Sequence, residues 1–322
     1  MNPFEVRMTN GLAAMSRNRA LLVTIALTLC LTGHSEATPE SGISSEAPDG
    51  VPASAGIQRI PEAGTPGRCA SDGQDASPSR PTWTGGASTS KCGQLQTDFG
   101  LLVQPIDDHT SQWMLPSNMR YGLTPRVELR WGLPTHLEQT GGSAGPLRGV
   151  SDQSLGLQYW FNQQRRLLPA LALSYGVKIP SANPDKGFGT GYVDHQFVLI
   201  ASRDAGRVHF DFNADGTVAG GEDNYSGAVQ LGLALSMPLS KRFTWVMDNY
   251  GGSQPGTSDR LGAALMGGTW SLRPSLVLDG AYTRIYTGGQ PRQIFTIGIT
   301  QSMRLGVLPI HRGSMLARVL GR

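Results

Sequence analysis

The chain has 322 residues, with 27 Lys or Arg against 24 Asp or Glu, so its formal net charge is only +3. This balance gives no sign of the basic surface that nucleic-acid binding needs. Charged residues make up 16% of the chain, below the share of about 25% in soluble globular proteins. The mean hydropathy of -0.20 is far from that of a helical membrane protein, yet it suits a transmembrane β-barrel, whose strands alternate apolar and polar residues.

The first 37 residues have the organisation of a secretory signal peptide. One continuous apolar run covers residues 20–31, and at about 12 residues it is too short for a membrane-spanning helix, which needs roughly 20. Arg17 and Arg19 precede this run, and Ser35-Glu36-Ala37 offers a cleavage site of small residues. We therefore predict a signal peptide over residues 1–37 and export from the cytoplasm.

Residues 38–94 are rich in Pro, Gly and Ser and contain few large apolar side chains. A segment of this composition buries too little apolar surface to offset the entropy that it loses on ordering. We therefore expect a mostly disordered leader that serves as a spacer, with a docking segment as the alternative. Cys69 and Cys92 lie in this leader, and two cysteines in an exported chain favour a disulfide over two free thiols.

Strict two-residue alternation is the main structural signal in the rest of the chain. Val229, Leu231, Leu233, Leu235 and Met237 are apolar, whereas the residues between them are small or polar. This period of two places the two sets on opposite faces of a β-strand. The same pattern recurs and predicts about twelve strands, at residues 95–103, 112–123, 126–133, 152–163, 168–179, 191–203, 206–214, 225–237, 242–250, 258–270, 275–286 and 291–302.

The connections between the predicted strands alternate between short and long. Every second connection, such as residues 134–151 or 214–224, is mostly longer than its neighbours and rich in glycine. Outer-membrane barrels show this asymmetry, whereas a soluble β-sandwich, the main alternative, has no reason to sort its loops by length. We therefore predict an all-β fold, an antiparallel up-and-down transmembrane β-barrel of about 12 strands, over residues 95–303. A basic tail over residues 304–322 follows it.

Polar side chains of the alternating strands would face the lumen of such a barrel, because a midplane Arg or Lys facing lipid costs roughly 2 to 4 kcal/mol. Two roles stay open for each of them: a salt-bridge network that stiffens the barrel, or a charged wall that orients a polar solute. The predicted lumen-lining residues are Arg120, Arg126, Glu128, Arg130, Gln158, Lys178, Asp194, His209, Asp211, Gln230, Asp248, Arg260 and Asp279.

The sequence contains no convincing enzyme motif. His195 and His209 fall on predicted strands, without a serine and an acid at a spacing typical of a catalytic triad. The run Asn213-Ala214-Asp215-Gly216 lacks the bidentate acid of a calcium loop, so we interpret it as a turn. We therefore predict no catalytic residue, no metal and no cofactor, and a protein that is not an enzyme.

The run from Asn118 to Gly132 reads Asn-Met-Arg-Tyr-Gly-Leu-Thr-Pro-Arg-Val-Glu-Leu-Arg-Trp-Gly. It resembles the opening hairpin of the outer-membrane family "MetA-pathway of phenol degradation", in which a strand carrying Arg-Tyr-Gly-Leu returns as an Arg-x-Glu-Leu-Arg strand. The resemblance extends over about Leu95 to Met303 and implies an outer-membrane barrel regarded as a channel for aromatic or other poorly soluble compounds. The charged positions that match the family pattern are Arg120, Glu128, Arg130 and Asp279.

The pattern and the resemblance together predict a channel in the outer membrane of a Gram-negative bacterium, for passive uptake of small organic solutes, aromatic or hydrophobic ones included. The expected partners are outer-membrane lipid, the solute and the outer-membrane assembly machinery, with no nucleic acid. Two alternatives stay open. One is a barrel lipid hydrolase with a Ser, a His and an acid at its outer rim, and the other is a non-conducting barrel that serves as an anchor or scaffold.

Overall fold

The structure is a computed structural model that describes residues 74–105, 110–140, 146–222, 224–258, 260–286 and 292–305. The predicted signal peptide and nearly all of the predicted basic tail lie outside these ranges. The described strands are β1 (Gln94–Pro105), β2 (Ser111–Leu115), β3 (Ser117–Gly122), β4 (Val127–Gly132), β5 (His136–Thr140), β6 (Leu147–Val150), β7 (Gln153–Asn162), β8 (Ala170–Ile179), β9 (Asp194–Ala205), β10 (Val208–Ala219), β11 (Ser226–Pro238), β12 (Phe243–Ser253), β13 (Arg260–Arg273), β14 (Leu276–Tyr286) and β15 (Arg292–Arg304). A short 3-10 helix, Pro184–Lys186, lies between β8 and β9. In these ranges no helix is long and apolar enough to cross a membrane.

The sheet closes into a barrel because its first and last strands pair. β1 and β15 run antiparallel, with partners from Gln94↔Arg304 to Val103↔Phe295. Around the barrel the order is β1, β3, β4 and then β7 to β15, which makes twelve strands. β2, β5 and β6 continue three of these strands beyond a break, and Pro116, which has no N–H for the ladder, separates β2 from β3. The predicted closed, antiparallel, twelve-strand barrel is confirmed.

Bulky apolar side chains point outward, as the alternation predicts. On β11, Val229 is 59% exposed and Leu231 is 43% exposed, whereas Ala228 and Ala234 on the other face are buried. An apolar outer face is what a barrel needs in order to sit in lipid. Further large apolar side chains exposed on the outer face include Phe99, Trp131, Leu157, Tyr175, Phe197, Phe212, Met266, Leu278 and Ile297.

Two connections differ from the prediction. The expected loop 134–151 contains β5 and β6, which pair with each other, and β5 also pairs with β2. The expected turn at Asn213-Ala214-Asp215-Gly216 lies within β10, paired to β9 and β11 on both sides. The prediction of a turn is wrong because the Asn and Asp side chains on β10 face a polar interior, where such residues need not end a strand.

The two ends of the barrel still differ. Residues 123–126, 206–207, 239–242 and 274–275 form tight connections at one end, which we call the short-turn end. β1 begins and β15 ends at this same end. Residues 180–193 are the longest described connection and lie at the opposite, long-loop end. In outer-membrane barrels the tight turns face the periplasm.

Candidate functional site: the lumen and its inner loop

Residues 74–93, which the composition assigned to a disordered leader, lie inside the barrel; we call them the inner loop. Along its length the inner loop is hydrogen-bonded to Ser302 on β15, Asp248 on β12, Ser202 on β9 and Glu128 on β4. These strands stand on different sides of the closed wall. Only a path through the lumen reaches all of them.

The prediction of disorder is wrong for this part of the leader, for a physical reason. Composition reports how much apolar surface a segment can bury, and the inner loop has little. Its backbone is instead held by polar side chains of the barrel wall, which lie far away in the sequence. Residues 38–73 lie outside the described residues, so their disorder stays a prediction.

Asp248 on β12 holds the middle of the inner loop. Its Oδ2 accepts the N–H groups of Trp83 at 2.7 Å and Thr84 at 2.8 Å, and its Oδ1 accepts the Thr84 hydroxyl at 2.7 Å. Asp248 is fully buried, so these three bonds form with no competition from solvent. The indole of Trp83 also stacks on Tyr250, with ring centroids 5.1 Å apart and an interplanar angle of 17°.

Gln158 on β7 holds the next stretch of the inner loop. Its Nε2 donates to the carbonyl oxygens of Gly86, Ala87 and Ser88 at 3.2, 3.0 and 3.2 Å. The Ala87 N–H donates to the hydroxyl of Ser202 at 2.8 Å. Ala87 is also the inner loop's contribution to a small buried apolar cluster, whose other members are Trp160, Ala170, Ala172 and Ile200.

Charged side chains anchor the inner loop beside β1 and β14. The Ser79 hydroxyl donates to Asp98 Oδ2 at 2.8 Å. Arg80 Nε lies 3.5 Å from Asp279 Oδ1, and Arg120 Nε lies 3.5 Å from Asp98 Oδ2. Each of these two buried carboxylates therefore has a guanidinium beside it, which offsets the cost of burying its charge.

Glu128 on β4 joins the end of the inner loop to the wall. Its Oε2 accepts the Ser90 N–H at 2.5 Å, and its Oε1 accepts from Arg130 Nε at 2.8 Å. Arg120 Nη1 lies 3.9 Å from the same carboxylate. Glu128 is fully buried, so its charge is balanced by these two arginines rather than by water.

Two inward-facing glycines leave the space that the inner loop fills. A Cβ atom at Gly232 would overlap Thr84 Oγ1 and would lie 2.8 Å from Cζ3 of the Trp83 ring. A Cβ atom at Gly100 would overlap the guanidinium of Arg80. The wall is therefore shaped to the inner loop as well as bonded to it.

The predicted lumen residues divide into those that bind the inner loop and those that do not. Arg120, Glu128, Gln158, Asp248 and Asp279 contact it directly. Arg130 acts on Glu128, and Asp211 accepts the hydroxyl of Ser202 at 2.5 Å.

Three predicted lumen residues lie toward the long-loop end. Lys178 Nζ and Asp194 Oδ2 form an ion pair of 2.6 Å, and Asp152 lies 3.6 Å from the same ammonium. Gln230 Nε2 donates to the Ser253 carbonyl at 3.5 Å. Lys178 and Asp194 thus form an ion pair within the wall, and the role of this pair in stiffening the barrel stays a prediction.

Two predicted lumen residues lie elsewhere. Arg126 is exposed in the short connection before β4, because the strand begins only at Val127. Arg260 is exposed at the start of β13 and shares its face with Met266 and Trp270, which are 58% and 54% exposed. Its assignment to the lumen is wrong because residues 262–264 are Gly and Ala, which carry no polar–apolar contrast to fix the phase.

The two histidines that the hydrolase alternative requires have other partners. His195 Nδ1 lies 2.8 Å from the Tyr175 hydroxyl. His209 lies between the carboxylates of Asp204 and Asp211, at 2.8 and 3.0 Å. Ser202 donates its hydroxyl to Asp211 and not to His209, so this group lacks the serine–base pair that activates a nucleophile.

Cys92 lies at the junction between the inner loop and β1, and it is disulfide-bonded. Cys69, its predicted partner, lies outside the described residues, so the pairing of Cys69 with Cys92 stays a prediction. Neither alternation nor a motif in the sequence marks Arg80, Trp83 or Thr84 as functional. The one available signal was Trp83, which is the sole aromatic residue between positions 38 and 94.

The chain matches the family "MetA-pathway of phenol degradation" over residues 79–299, which includes most of the inner loop. The chain belongs to this family. It is an outer-membrane β-barrel protein of a Gram-negative bacterium, as the sequence predicted. No curated protein sequence matches the chain.

Solved structures with a similar fold include outer-membrane channels and porins. The COG4313 outer membrane channel from Pseudomonas putida F1 is similar with a TM-score of 0.52 at 12% identity, over 67% of this chain and 98% of that one. The KdgM porin in complex with disordered oligogalacturonate has a TM-score of 0.42 at 8% identity, over 65% and 99% of the two chains. The NanC porin has a TM-score of 0.42 at 10% identity, over 64% and 98%. At 12% identity, the first of these likenesses shows a shared barrel fold.

Proposed function

We propose that the protein is an outer-membrane channel for the passive uptake of small organic solutes. The observation that supports this most is the contrast between the two faces of the closed wall: large apolar side chains outside, and polar side chains such as Gln96, Gln158 and Asp248 inside. Polar side chains in a barrel interior belong to a hydrated or ligand-binding lumen.

The contacts of the inner loop favour uncharged solutes over ions. The carboxylates of Asp248 and Glu128 are bonded to backbone N–H groups or to arginines, so they do not create the transverse field that a bare charged wall would have. Trp83 and Tyr250 add an aromatic pair to the lumen. The family description, phenol degradation, favours aromatic compounds within this solute class.

Planar-bilayer recording and liposome swelling test this function together. The purified full-length protein is inserted into bilayers, and swelling is measured with two glycosides that do not partition into lipid, phenyl β-glucoside and methyl β-glucoside. We expect discrete current steps and swelling with both solutes, faster than with heat-denatured protein. A folded, inserted barrel that gives neither current nor swelling would contradict the channel and would favour a non-conducting scaffold.

A further inference from the structure

We propose that residues 74–91 of the inner loop form a gate. They occupy the short-turn half of the lumen, bound to the barrel wall, and their release widens the channel. This inference rests on the proposed channel function and adds its regulation. Its support lies in how the inner loop is attached and in where its two ends lie.

The barrel wall is complete without the inner loop. β1 and β15 pair from Gln94 to Val103 and close the barrel by themselves. Among the described residues of the inner loop, Cys92 alone forms a bridge to a strand, at Gly122. Release of residues 74–91 therefore breaks no strand ladder and leaves no edge exposed to lipid.

The inner loop is attached by polar wall side chains rather than by a large apolar contact. Asp248 alone accepts three hydrogen bonds from Trp83 and Thr84. Gln158 binds three successive carbonyl groups. Loss of one hydrogen bond to a charged group shifts an equilibrium by about 10- to 100-fold, so single substitutions on the wall can change the bound fraction of the inner loop.

The path of the inner loop permits withdrawal. The Ala76 N–H donates to the carbonyl of Pro274, in the short connection 274–275, at 2.7 Å. At its other end the inner loop joins Gln94, where β1 begins at the same end of the barrel. Because the inner loop enters and leaves at the short-turn end, it can leave the lumen without threading through the barrel.

Two wall variants of the full-length protein weaken the attachment, and each has a matched control. Asp248→Ala removes three hydrogen bonds to the inner loop, whereas Asp215→Ala removes a lumen carboxylate whose described partners are Gln196 and Thr217. Gly232→Val overlaps Trp83 and Thr84, whereas Gly227→Val on the same strand meets nothing within 4 Å.

Two readouts are recorded, and the second follows the inner loop independently of the current. Conductance is recorded in planar bilayers. Independently, Ser88→Cys is introduced into each protein. The rate of its labelling by a polyethylene-glycol maleimide that is too large to reach it while the inner loop is bound is compared with that of a parent without that cysteine. We expect both conductance and labelling rate to rise in Asp248→Ala and Gly232→Val, the labelling rate by about 10-fold or more, and to stay at the wild-type level in both controls.

The outcomes separate the gate from the channel. Unchanged labelling in both wall variants overturns the gate, whatever the current does. Faster labelling with no current from any variant overturns the channel function and leaves the release of the inner loop standing. Folding of each variant is checked by its heat-modifiable mobility on gels, and Trp83→Ala, which changes the inner loop and leaves the wall intact, replaces a wall variant that fails to fold.

Discussion

Single side chains of the wall take the place of strand partners for the inner loop. A backbone that lies inside a protein must have its N–H and C=O groups satisfied. Asp248 accepts two successive N–H groups of the inner loop, and Gln158 donates to three successive carbonyl oxygens. An extended segment without a strand neighbour is thus held by carboxylate and amide side chains.

Replacing Glu128 with Gln should destabilise the folded barrel by about 3 kcal/mol, because it leaves Arg130 without its counter-charge and Arg120 with Asp98 alone. The control is Glu138→Gln, since Glu138 pairs with Arg148, whose side chain is 67% exposed, at 2.8 Å. An exposed pair contributes about 0–1 kcal/mol. Urea unfolding of the reconstituted proteins measures both variants, and equal losses would contradict the assigned role of Glu128.

The predicted disulfide can be tested by a cycle of substitutions. If Cys69 and Cys92 are bonded to each other, then Cys69→Ser, Cys92→Ser and the double variant remove the same bond. We expect the three proteins to have one common melting temperature below that of the wild type. Losses that add up in the double variant would show that Cys92 has a different partner.

At the scale of the strand, orientation decides whether a charge is tolerated. Leu231→Arg places a guanidinium on the outer face and should cost roughly 2 to 4 kcal/mol near the bilayer midplane. Gln230→Arg places the same group one residue away on the inner face, where it should fold nearly as well as the wild type. The yield of folded protein in liposomes compares the two, and the reverse order would overturn the assignment of the faces.

The strands could be predicted from the sequence because each carries its own evidence. Period-two alternation at Val229 to Met237 needs no knowledge of the rest of the chain, and all twelve predicted strands overlap a strand of the barrel. The inner loop could not be predicted, because its partners Asp248, Gln158 and Glu128 lie on three different strands distant in sequence. Arg260 shows the limit within a strand, since Gly and Ala beside it do not mark a face.

At the scale of the whole molecule, closure is the property on which stability depends. The ladder between β1 and β15 removes the last open edge, as a structure within lipid requires. Such a barrel should stay folded in unheated dodecyl sulfate and migrate faster than after boiling. One gel with both samples checks this, and identical migration would contradict a closed barrel.

Residues 74–93 lie within the lumen against the wall, and an engineered disulfide tests this placement most directly. Thr84 lies directly against Gly232 on the inner face of the wall, so Thr84→Cys with Gly232→Cys should form an intramolecular disulfide. The intact mass should then be lower by two hydrogens than that of the same double variant with these two cysteines reduced and the native disulfide retained. Thr84→Cys with Gly227→Cys, whose second site faces away, should keep two free thiols. Free thiols in both pairs would contradict the account, whereas a bond in the first pair alone is the result that it predicts.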